Sequence, residues 1–158
     1  MPEGSWRFFV AGIMQGSHRG AVLHAQDYRP RLIGLLREHF PGCEVYDPLA
    51  DHGESLGYDD ETARMVFYRH NAMCRETDVL LAFVPEASMG TAIEMWEAFQ
   101  HGRAVLTVSP LEHNWAVKFT SHAVYPDLAA FERALAAGEV RHTIETVLAE
   151  SPSAPPTA

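Results

Sequence analysis

The sequence predicts an α/β fold of the doubly wound kind, Rossmann-like or flavodoxin-like, with a mostly parallel sheet of four to five strands and flanking helices. Two observations lead to this prediction. Short apolar runs bounded by turn residues are typical of strands that are buried on both faces. Between them lie longer segments in which apolar residues recur at helical spacing. The alternation of the two patterns indicates the order β-α-β-α-β-α-β-α.

Each element can be justified in chain order. The expected strands are "WRFFVAGI", "CEVYDP", "DVLLAFVP" and "AVLTVSP". The first helix is expected in "DYRPRLIGLLREHFPG", where Leu32, Leu35, Leu36 and Phe40 follow the helical period and a Pro-Gly pair supplies the stop. Further helices are expected in "DETARMVFYRHNAMCRET" and "MGTAIEMWEAFQHG", and a fourth begins near "DLAAFERALAAG".

The remaining segments are expected to be irregular. Residues 49–60, "LADHGESLGYDD", are polar and contain two glycines, which predicts a loop over one edge of the sheet that acts as a lid. Residues 1–150 are expected to form a single domain. The tail, residues 151–158, is rich in Pro and Ser, and we expect it to be disordered.

Composition limits the classes of partner. The chain has 158 residues, with 12 Lys and Arg against 21 Asp and Glu, which gives a net charge of -9. This charge repels nucleic-acid backbones and anionic membranes, so neither polymeric nucleic acid nor a membrane is expected as a partner. No apolar stretch approaches the roughly 18 residues of a membrane helix, and no secretory signal is seen. A cytoplasmic location is the resulting expectation.

Cysteine and histidine positions argue against a metal centre. Cys43 and Cys74 lie far apart in the sequence, which suits reduced thiols rather than a disulfide or a metal site. No pair among the nine histidines stands at ligand spacing with a suitable carboxylate or thiolate. The sequence therefore predicts neither a metal nor another cofactor.

The most informative segment for a ligand is "PEASMGTAIEMWEAFQHGRAV", residues 85–105. Ser88 is a good N-cap, and the N–H groups that follow it lie at the positive end of a helix, which favours a phosphate. Glu94 shares a face with Gly90, and helical side chains lean toward the N-terminus, so its carboxylate is expected over the Gly90 turn. A solvated helix acid is the ordinary alternative for Glu94. The arrangement fits a sugar phosphate.

A second segment, "GIMQGSHRG", follows the first expected strand. Gly12, Gly16 and Gly20 are spaced by four residues, which does not match the dinucleotide-binding pattern. We interpret it as a loop that closes around the ligand through Gln15, Gly16 and Arg19, since Arg is a good fork for phosphate. A flexible, solvent-exposed loop is the alternative interpretation.

Together, "FFVAGIMQG", "TDVLLAFVPEASMGTAIEMWEA" and "GRAVLTV" resemble the nucleoside 2-deoxyribosyltransferase family and its nucleoside 5'-monophosphate N-glycosidase relatives. The resemblance covers about residues 7 to 125, although only the unit of strand, "PEASMG" and helix is specific. It implies that Gly12 ends the first strand, that Asp78 begins another strand and contacts substrate, and that Glu94 is the nucleophile that attacks the sugar.

Three further expectations come from the same resemblance. Ser88, six residues before Glu94, is typical of the nucleotide hydrolases, whereas members that act on free nucleosides tend to have an acid there. Phe9 corresponds to a residue near the base, where it either stacks on the base or is an ordinary core residue. Sites in the family are completed by a neighbouring subunit, here through Asn114, Lys118 and Ser121, so a homodimer or higher homo-oligomer is implied.

The chain departs from the family pattern at His70. The family usually has an Asp there that handles the sugar hydroxyls, and in this chain Asn71 follows His70. His70 is expected to hydrogen bond a hydroxyl or to carry a proton, titrating near pH 6.5, unless it is only a helix-surface histidine. Should it not hold the sugar, Asp59, Asp60 and Glu61 are the next candidates.

The sequence thus predicts an enzyme that hydrolyses, or transfers across, the N-glycosidic bond of a nucleoside 5'-monophosphate through Glu94. Two alternatives stay open. One is a non-catalytic protein that binds or senses a nucleotide, which the loss of the family's Asp favours. The other is a 2-deoxyribosyltransferase on free nucleosides, which Ser88 disfavours. In each case the ligand is a small nucleotide or nucleoside.

Overall fold

The structure, a computed structural model, describes residues 5–12 and 27–151. Its centre is a parallel sheet in the order β2-β1-β3-β4-β5. The strands are β1 (Arg7–Gly12), β2 (Glu44–Tyr46), β3 (Val79–Phe83), β4 (Ala104–Val108) and β5 (Ala123–Tyr125). The predicted doubly wound α/β fold is confirmed. Within the described ranges, no helix is both long and apolar enough to cross a membrane.

Seven α-helices and one 3₁₀ helix are found in the described residues. The helices are α1 (Tyr28–His39), α2 (Pro48–His52), α3 (Asp60–Glu76), α4 (Met89–Gln100), α5 (Trp115–Thr120), α6 (Leu128–Ala136) and α7 (Glu139–Glu150). The 3₁₀ helix spans Ser55–Gly57, between α2 and α3.

Two apolar layers cover the two faces of the sheet. On β1, Phe8 and Val10 face one layer, and Phe9 and Ala11 face the other, because side chains alternate along a strand. The first layer contains residues of α1, α6 and α7, and the second contains residues of α3, α4 and α5. Helices on both faces explain why the central strands read as continuous apolar runs.

The predicted long helices are found, and four short elements were missed. Residues 49–60 contain most of α2 and the whole 3₁₀ helix, so the prediction of a plain loop there is wrong. Asp47 caps α2 by accepting a hydrogen bond from the Leu49 N–H at 3.0 Å. Neither α5 nor β5 was predicted. The six residues of α5 make fewer than two helical turns, which is too few to show a helical period.

The fourth predicted helix is in fact two helices, α6 and α7. Gly138 separates them with a φ of 77°, a left-handed conformation that suits glycine. The expected loop with Gln15, Gly16 and Arg19 lies outside the described residues, and so does the predicted disordered tail beyond Ser151.

Candidate active site

A cleft of about 560 Å³ lies where the carboxyl end of β1 meets the N-terminus of α4. This is the edge at which open parallel sheets bind ligands. The cleft is lined by Gly12, Pro48, His52, Ser55, Leu56, Tyr58, Ala63, Val66, Phe67, His70, Ser88, Met89, Gly90, Thr91, Ile93 and Glu94. Five residues singled out from the sequence are among them: Gly12, His70, Ser88, Gly90 and Glu94.

The N-terminus of α4 forms one wall of the cleft. Ser88 is its N-cap, as predicted, and its Oγ accepts a hydrogen bond from the Thr91 N–H at 3.4 Å. The N–H groups of Met89 and Gly90 donate no hydrogen bond to any residue that the structure describes. A side chain at Gly90 would meet open space, so a ligand can approach the backbone there. This wall therefore offers two backbone donors at the positive end of a helix.

Glu94 lies one turn further along α4 and is partly buried at the cleft. Burial raises the pKa of its carboxyl from 4.5 to about 7, and the nearby Arg29 lowers it by a smaller amount. Near neutral pH, the carboxyl group is therefore divided between its charged and neutral forms. A strongly shifted pKa is typical of carboxyl groups at functional sites, and an ordinary solvated helix acid does not have it.

A buried arginine braces the strand ends beneath the cleft. Arg29 is 1% exposed and donates to the backbone oxygens of Val10 at 3.1 Å and Gly12 at 3.3 Å. Its Nη1 also donates to Asp47 Oδ1 at 2.9 Å. The residue thus ties the end of β1 to the start of α2 and places a positive charge near Glu94. Sequence reasoning missed it, and the only signal was an arginine among the apolar positions of α1.

Gly12 is glycine for a steric reason that the structure makes clear. A Cβ at this position would lie 2.2 Å from the Tyr28 hydroxyl oxygen, which is well below any contact distance. The Tyr28 ring is fixed in turn by stacking on Phe83, with ring centroids 4.1 Å apart. Burial raises the pKa of Tyr28 to about 12, so its hydroxyl stays protonated near neutral pH. The glycine allows the tyrosine to occupy the end of β1.

His70 lies on α3 at the cleft, and its Nε2 is 3.0 Å from the Tyr46 hydroxyl. Burial, with smaller effects of His52 and Arg69, lowers its pKa to about 4. The expectation that His70 titrates near pH 6.5 is therefore wrong, because charging the ring costs desolvation and brings it into repulsion with neighbouring positive groups. In the neutral form it can still donate or accept one hydrogen bond.

The other candidates for holding a sugar do not line the cleft. Asn71 is buried, and its Nδ2 donates to the Phe67 carbonyl at 2.9 Å. Asp59 caps α3 by accepting from the Thr62 N–H at 2.7 Å. Asp60 and Glu61 are exposed in the first turn of that helix. Of these residues and His70, only His70 faces the ligand space.

Two predicted substrate contacts are corrected by their positions. Asp78 directly precedes β3, at the end of the sheet opposite to the cleft, and accepts a hydrogen bond from the Arg7 N–H at 2.8 Å. Phe9 is 1% exposed and packs on Tyr46, with ring centroids 5.5 Å apart. Asp78 therefore links β1 to the start of β3. Phe9 is an ordinary core residue, which was one of its two expected roles, and it is not placed to stack on a base.

Lys118 lies on α5 and does not line the cleft of its own chain. Its side chain is exposed, and Nζ lies 5.5 Å from the centre of the Phe119 ring. Asn114 caps the same helix by accepting from the Ala116 N–H at 3.0 Å. The contribution of this segment to the site of a neighbouring subunit stays a prediction.

Comparison with known proteins gives structural matches only. No protein-family model matches the chain, and no curated protein sequence matches it. A 2-deoxyribosyltransferase from Bacillus psychrosaccharolyticus is similar in structure, with a TM-score of 0.57, 18% identity and coverage of 80% of this chain and 90% of that one. A CMP N-glycosidase from Clostridium botulinum has a TM-score of 0.50 and 18% identity, with coverage of 83% of this chain and 98% of that one.

A conserved protein from Enterococcus faecalis is similar too, with a TM-score of 0.50, 15% identity and coverage of 90% of this chain and 98% of that one. At these identities the likeness concerns the fold. The sequence motifs pointed to the same fold independently. The chain thus has the doubly wound α/β fold that a 2-deoxyribosyltransferase and a CMP N-glycosidase share, as its resemblance to the nucleoside 2-deoxyribosyltransferase family predicted.

Proposed function

We propose that the protein is an enzyme that cleaves, or transfers across, the N-glycosidic bond of a nucleoside 5'-monophosphate, with Glu94 as the nucleophile. The observation that carries the proposal is the position of Glu94. It is a partly buried carboxyl group with a pKa near 7, one turn from the open N-terminus of α4, in a cleft at the carboxyl edge of the sheet. The shared fold with two enzymes of nucleoside chemistry supports this function.

The chemistry follows the two steps of retaining glycosyl transfer. Ionised Glu94 attacks C1' of the sugar, and the bond from C1' to the base nitrogen breaks. The bonding electron pair leaves with the base, which takes up a proton from water. Water or a second base then attacks C1' of the glycosyl ester, which releases the sugar product and restores the carboxylate.

The phosphate is assigned to the N-terminus of α4. The donors on this wall are the hydroxyl of Ser88 and the N–H groups of Met89 and Gly90, which donate to no acceptor among the described residues. No Lys or Arg is among the described residues that line the cleft. Phosphate binding therefore relies on the helix end and on Arg19, which lies outside the described residues.

A free nucleoside is the second candidate substrate, and the same lack of a cationic side chain on the described cleft wall favours it. An uncharged 5'-hydroxyl needs no cation, and the N–H groups of the helix end can donate to it. The two candidates differ in a measurable way. For a nucleotide enzyme, removing the 5'-phosphate lowers affinity several-fold to about a hundred-fold, as expected for charge-assisted hydrogen bonds.

The test is to incubate the protein with each nucleoside monophosphate and each free nucleoside, and to separate any released base by chromatography. Glu94→Gln is expected to abolish release. Glu97→Gln is the matched control, because Glu97 lies on the same helix but pairs with Arg75 at 2.7 Å outside the cleft. Near-normal release by Glu94→Gln contradicts the nucleophile assignment. Tight binding without release by the wild type identifies a non-catalytic nucleotide-binding protein instead.

A further inference from the structure

Four rings in the cleft lining come from elements other than α4. His52 and Tyr58 come from the segment of α2 and the 3₁₀ helix, and Phe67 and His70 come from α3. The His52 and His70 rings have centroids 5.1 Å apart, and the Tyr58 ring stands edge-on to His52 at 5.9 Å. Phe67 is 45% exposed and lies one turn before His70. The proposed glycosidic chemistry assigns no role to this cluster.

Each imidazole is anchored by one tyrosine hydroxyl. His52 Nδ1 is 2.9 Å from the Tyr58 hydroxyl, and His70 Nε2 is 3.0 Å from the Tyr46 hydroxyl. The second nitrogens, His52 Nε2 and His70 Nδ1, have no hydrogen-bond partner in the described part of the chain, and neither of these atoms is buried. Two oriented polar atoms are therefore available to a ligand.

A neutral imidazole offers either a donor or an acceptor at its second nitrogen, depending on which nitrogen carries the proton. A tyrosine hydroxyl is compatible with both tautomers, because it can either donate or accept a hydrogen bond. Burial keeps His70 neutral, with a pKa of about 4. The pair can thus match a donor and an acceptor next to each other, the pattern on the edge of a nucleobase.

The apolar surface around the rings suits the faces of the same ligand. Phe67 and Tyr58 present aromatic surface, and Leu56 and Val66 line the cleft beside them. A flat heteroaromatic ring combines apolar faces with a polar edge, so it matches this combination of surfaces. Glu94 and the donors of α4 occupy the other wall of the cleft, where a sugar and its 5' group fit.

We propose that His52, Tyr58, Phe67 and His70 form the subsite for the base, in which His52 Nε2 and His70 Nδ1 hydrogen bond its edge. The proposal rests on the proposed function for the identity of the ligand, and it reassigns His70 from the sugar to the base. It also takes the place of the base contact expected from Phe9, which is buried. The orientation of the substrate follows, with its base against α3 and its sugar against α4.

The first experiment measures binding alone and does not depend on turnover. Free adenine, hypoxanthine, cytosine and uracil are each titrated at millimolar concentration into ¹⁵N-labelled protein, and the imidazole ¹⁵N signals are followed. At least one base is expected to move the His52 and His70 signals together. His52→Ala is expected to lower the affinity for that base by at least about tenfold, because it removes a hydrogen bond in a desolvated site.

Two variants separate recognition from loss of structure. Tyr58→Phe keeps the ring but removes the hydroxyl that anchors His52. It is expected to change the imidazole ¹⁵N signals that report the His52 tautomer and to lower the affinity for the base. His142→Ala, an exposed position on α7, is the control and should bind the base as the wild type does. Failure of every base to shift the two imidazole signals overturns the proposal, and so does equal base affinity in His52→Ala and wild type.

A kinetic measurement distinguishes this inference from the proposed function. The substrates are the cleaved nucleotide and 4-nitrophenyl ribofuranoside 5-phosphate, whose leaving group lacks the edge of a nucleobase. His52→Ala should slow base release at least about tenfold while leaving nitrophenol release within about threefold. If His52→Ala slows release from both substrates equally, the base subsite is contradicted but the proposed function is not. Release from neither substrate by the wild type contradicts the proposed function, and unimpaired cleavage of both by Glu94→Gln contradicts the nucleophile assignment, whereas the binding result stands by itself.

Discussion

At the scale of single residues, the protonation of Glu94 connects the structure to activity. A glutamate in the first turns of a helix is usually charged and solvated, but burial raises the pKa of this one to about 7. The nucleophile has to be ionised, so deprotonation of one carboxyl group controls the proposed reaction. His70 cannot supply this dependence, since its pKa lies at about 4.

The first prediction concerns the pH dependence of the rate. The value of kcat/KM for base release should rise about tenfold per pH unit below about pH 7 and reach a plateau above it, as Glu94 loses its proton in the free enzyme. Initial rates between about pH 5 and pH 9 measure this profile. A rate that is flat through pH 7, or one that falls as pH rises, contradicts the assignment.

The second prediction links the same pKa to stability. The folded state holds the Glu94 proton up to about pH 7, and the unfolded chain releases it near pH 4.5. The folded state binds more protons between these values, so the free energy of unfolding falls as pH rises through this window. Glu94→Gln removes the effect. It should match the wild type near about pH 4.5 and be more stable by about 1 to 3 kcal/mol near about pH 8.

Urea unfolding at both pH values measures this difference. Glu97→Gln again serves as the control, since Arg75 lowers the pKa of Glu97 and the sign of its contribution is reversed. A Glu94→Gln variant that is less stable than the wild type near about pH 8 would contradict the raised pKa.

The third prediction tests the contact at Gly12. Gly12→Ala places a methyl group 2.2 Å from the Tyr28 hydroxyl oxygen, so the tyrosine ring has to move away from Phe83. Overpacking of this kind costs about 1 to 3 kcal/mol. In Gly34→Ala the new methyl group meets nothing within 4 Å, and the change should stabilise α1 by about 0.5 to 1 kcal/mol. Thermal unfolding of both variants checks the pair.

At the scale of elements, the short segment between β2 and α3 forms part of the cleft. The sequence predicted a polar loop that acts as a lid there, and the structure shows α2 and a 3₁₀ helix that contribute His52, Ser55, Leu56 and Tyr58 to the cleft. Asp47 begins α2 and also accepts a hydrogen bond from the buried Arg29. One carboxylate therefore supports both the cleft wall and the strand ends.

The fourth prediction is that Asp47→Ala destabilises the protein strongly and disturbs the cleft. It removes the cap of α2 and breaks the ion pair between Asp47 and Arg29, whose side chain is 1% exposed. Removing one partner of a buried ion pair costs about 3 to 5 kcal/mol. Asp127→Ala, which removes only the cap of α6, is the control and should cost about 1 kcal/mol. Urea unfolding at neutral pH compares the two, and equal losses contradict the bracing role of Asp47.

At the scale of the whole molecule, the large exposed apolar residues of ranges 5–12 and 27–151 lie on one side of the sheet. Helices α3, α4 and α5 are neighbours there. Their exposed large apolar side chains are Met65, Phe67, Tyr68, Met89, Ile93, Trp96, Trp115 and Phe119. A surface of this kind is typical of a protein interface, and the family resemblance implies a homo-oligomer.

The fifth prediction is that the protein is a dimer or a higher oligomer at micromolar concentration. Trp96 is 50% exposed and Trp115 is 78% exposed, and a charge at either position should weaken an apolar contact. Trp96→Asp and Trp115→Asp are therefore expected to shift the mass measured by light scattering toward the monomer. Glu145→Ala on α7 is the control. A wild type that is monomeric at this concentration contradicts the prediction.

The local sequence pattern was sufficient for the fold class and for the position of Glu94. Helical periods and apolar runs are local properties of the sequence, so α1, α3, α4 and the four predicted strands could be recognised without knowledge of the packing. The offset between Ser88, Gly90 and Glu94 is likewise a property of one helix, and the structure places all three at the cleft. The short helices α2 and α5 hold too few residues for a helical period to appear.

The surroundings of each side chain were decided only by the tertiary structure, because burial and pairing join residues that are distant in the sequence. The residues next to Asp78 in the sequence do not show that it accepts a hydrogen bond from Arg7 on the neighbouring strand. Those next to Phe9 do not show that the Tyr46 and His70 rings pack against it. The raised pKa of Glu94 and the lowered pKa of His70 arise from desolvation in the folded chain. Sequence thus specified which residues occur at the cleft edge of α4, and packing determined their protonation and their partners.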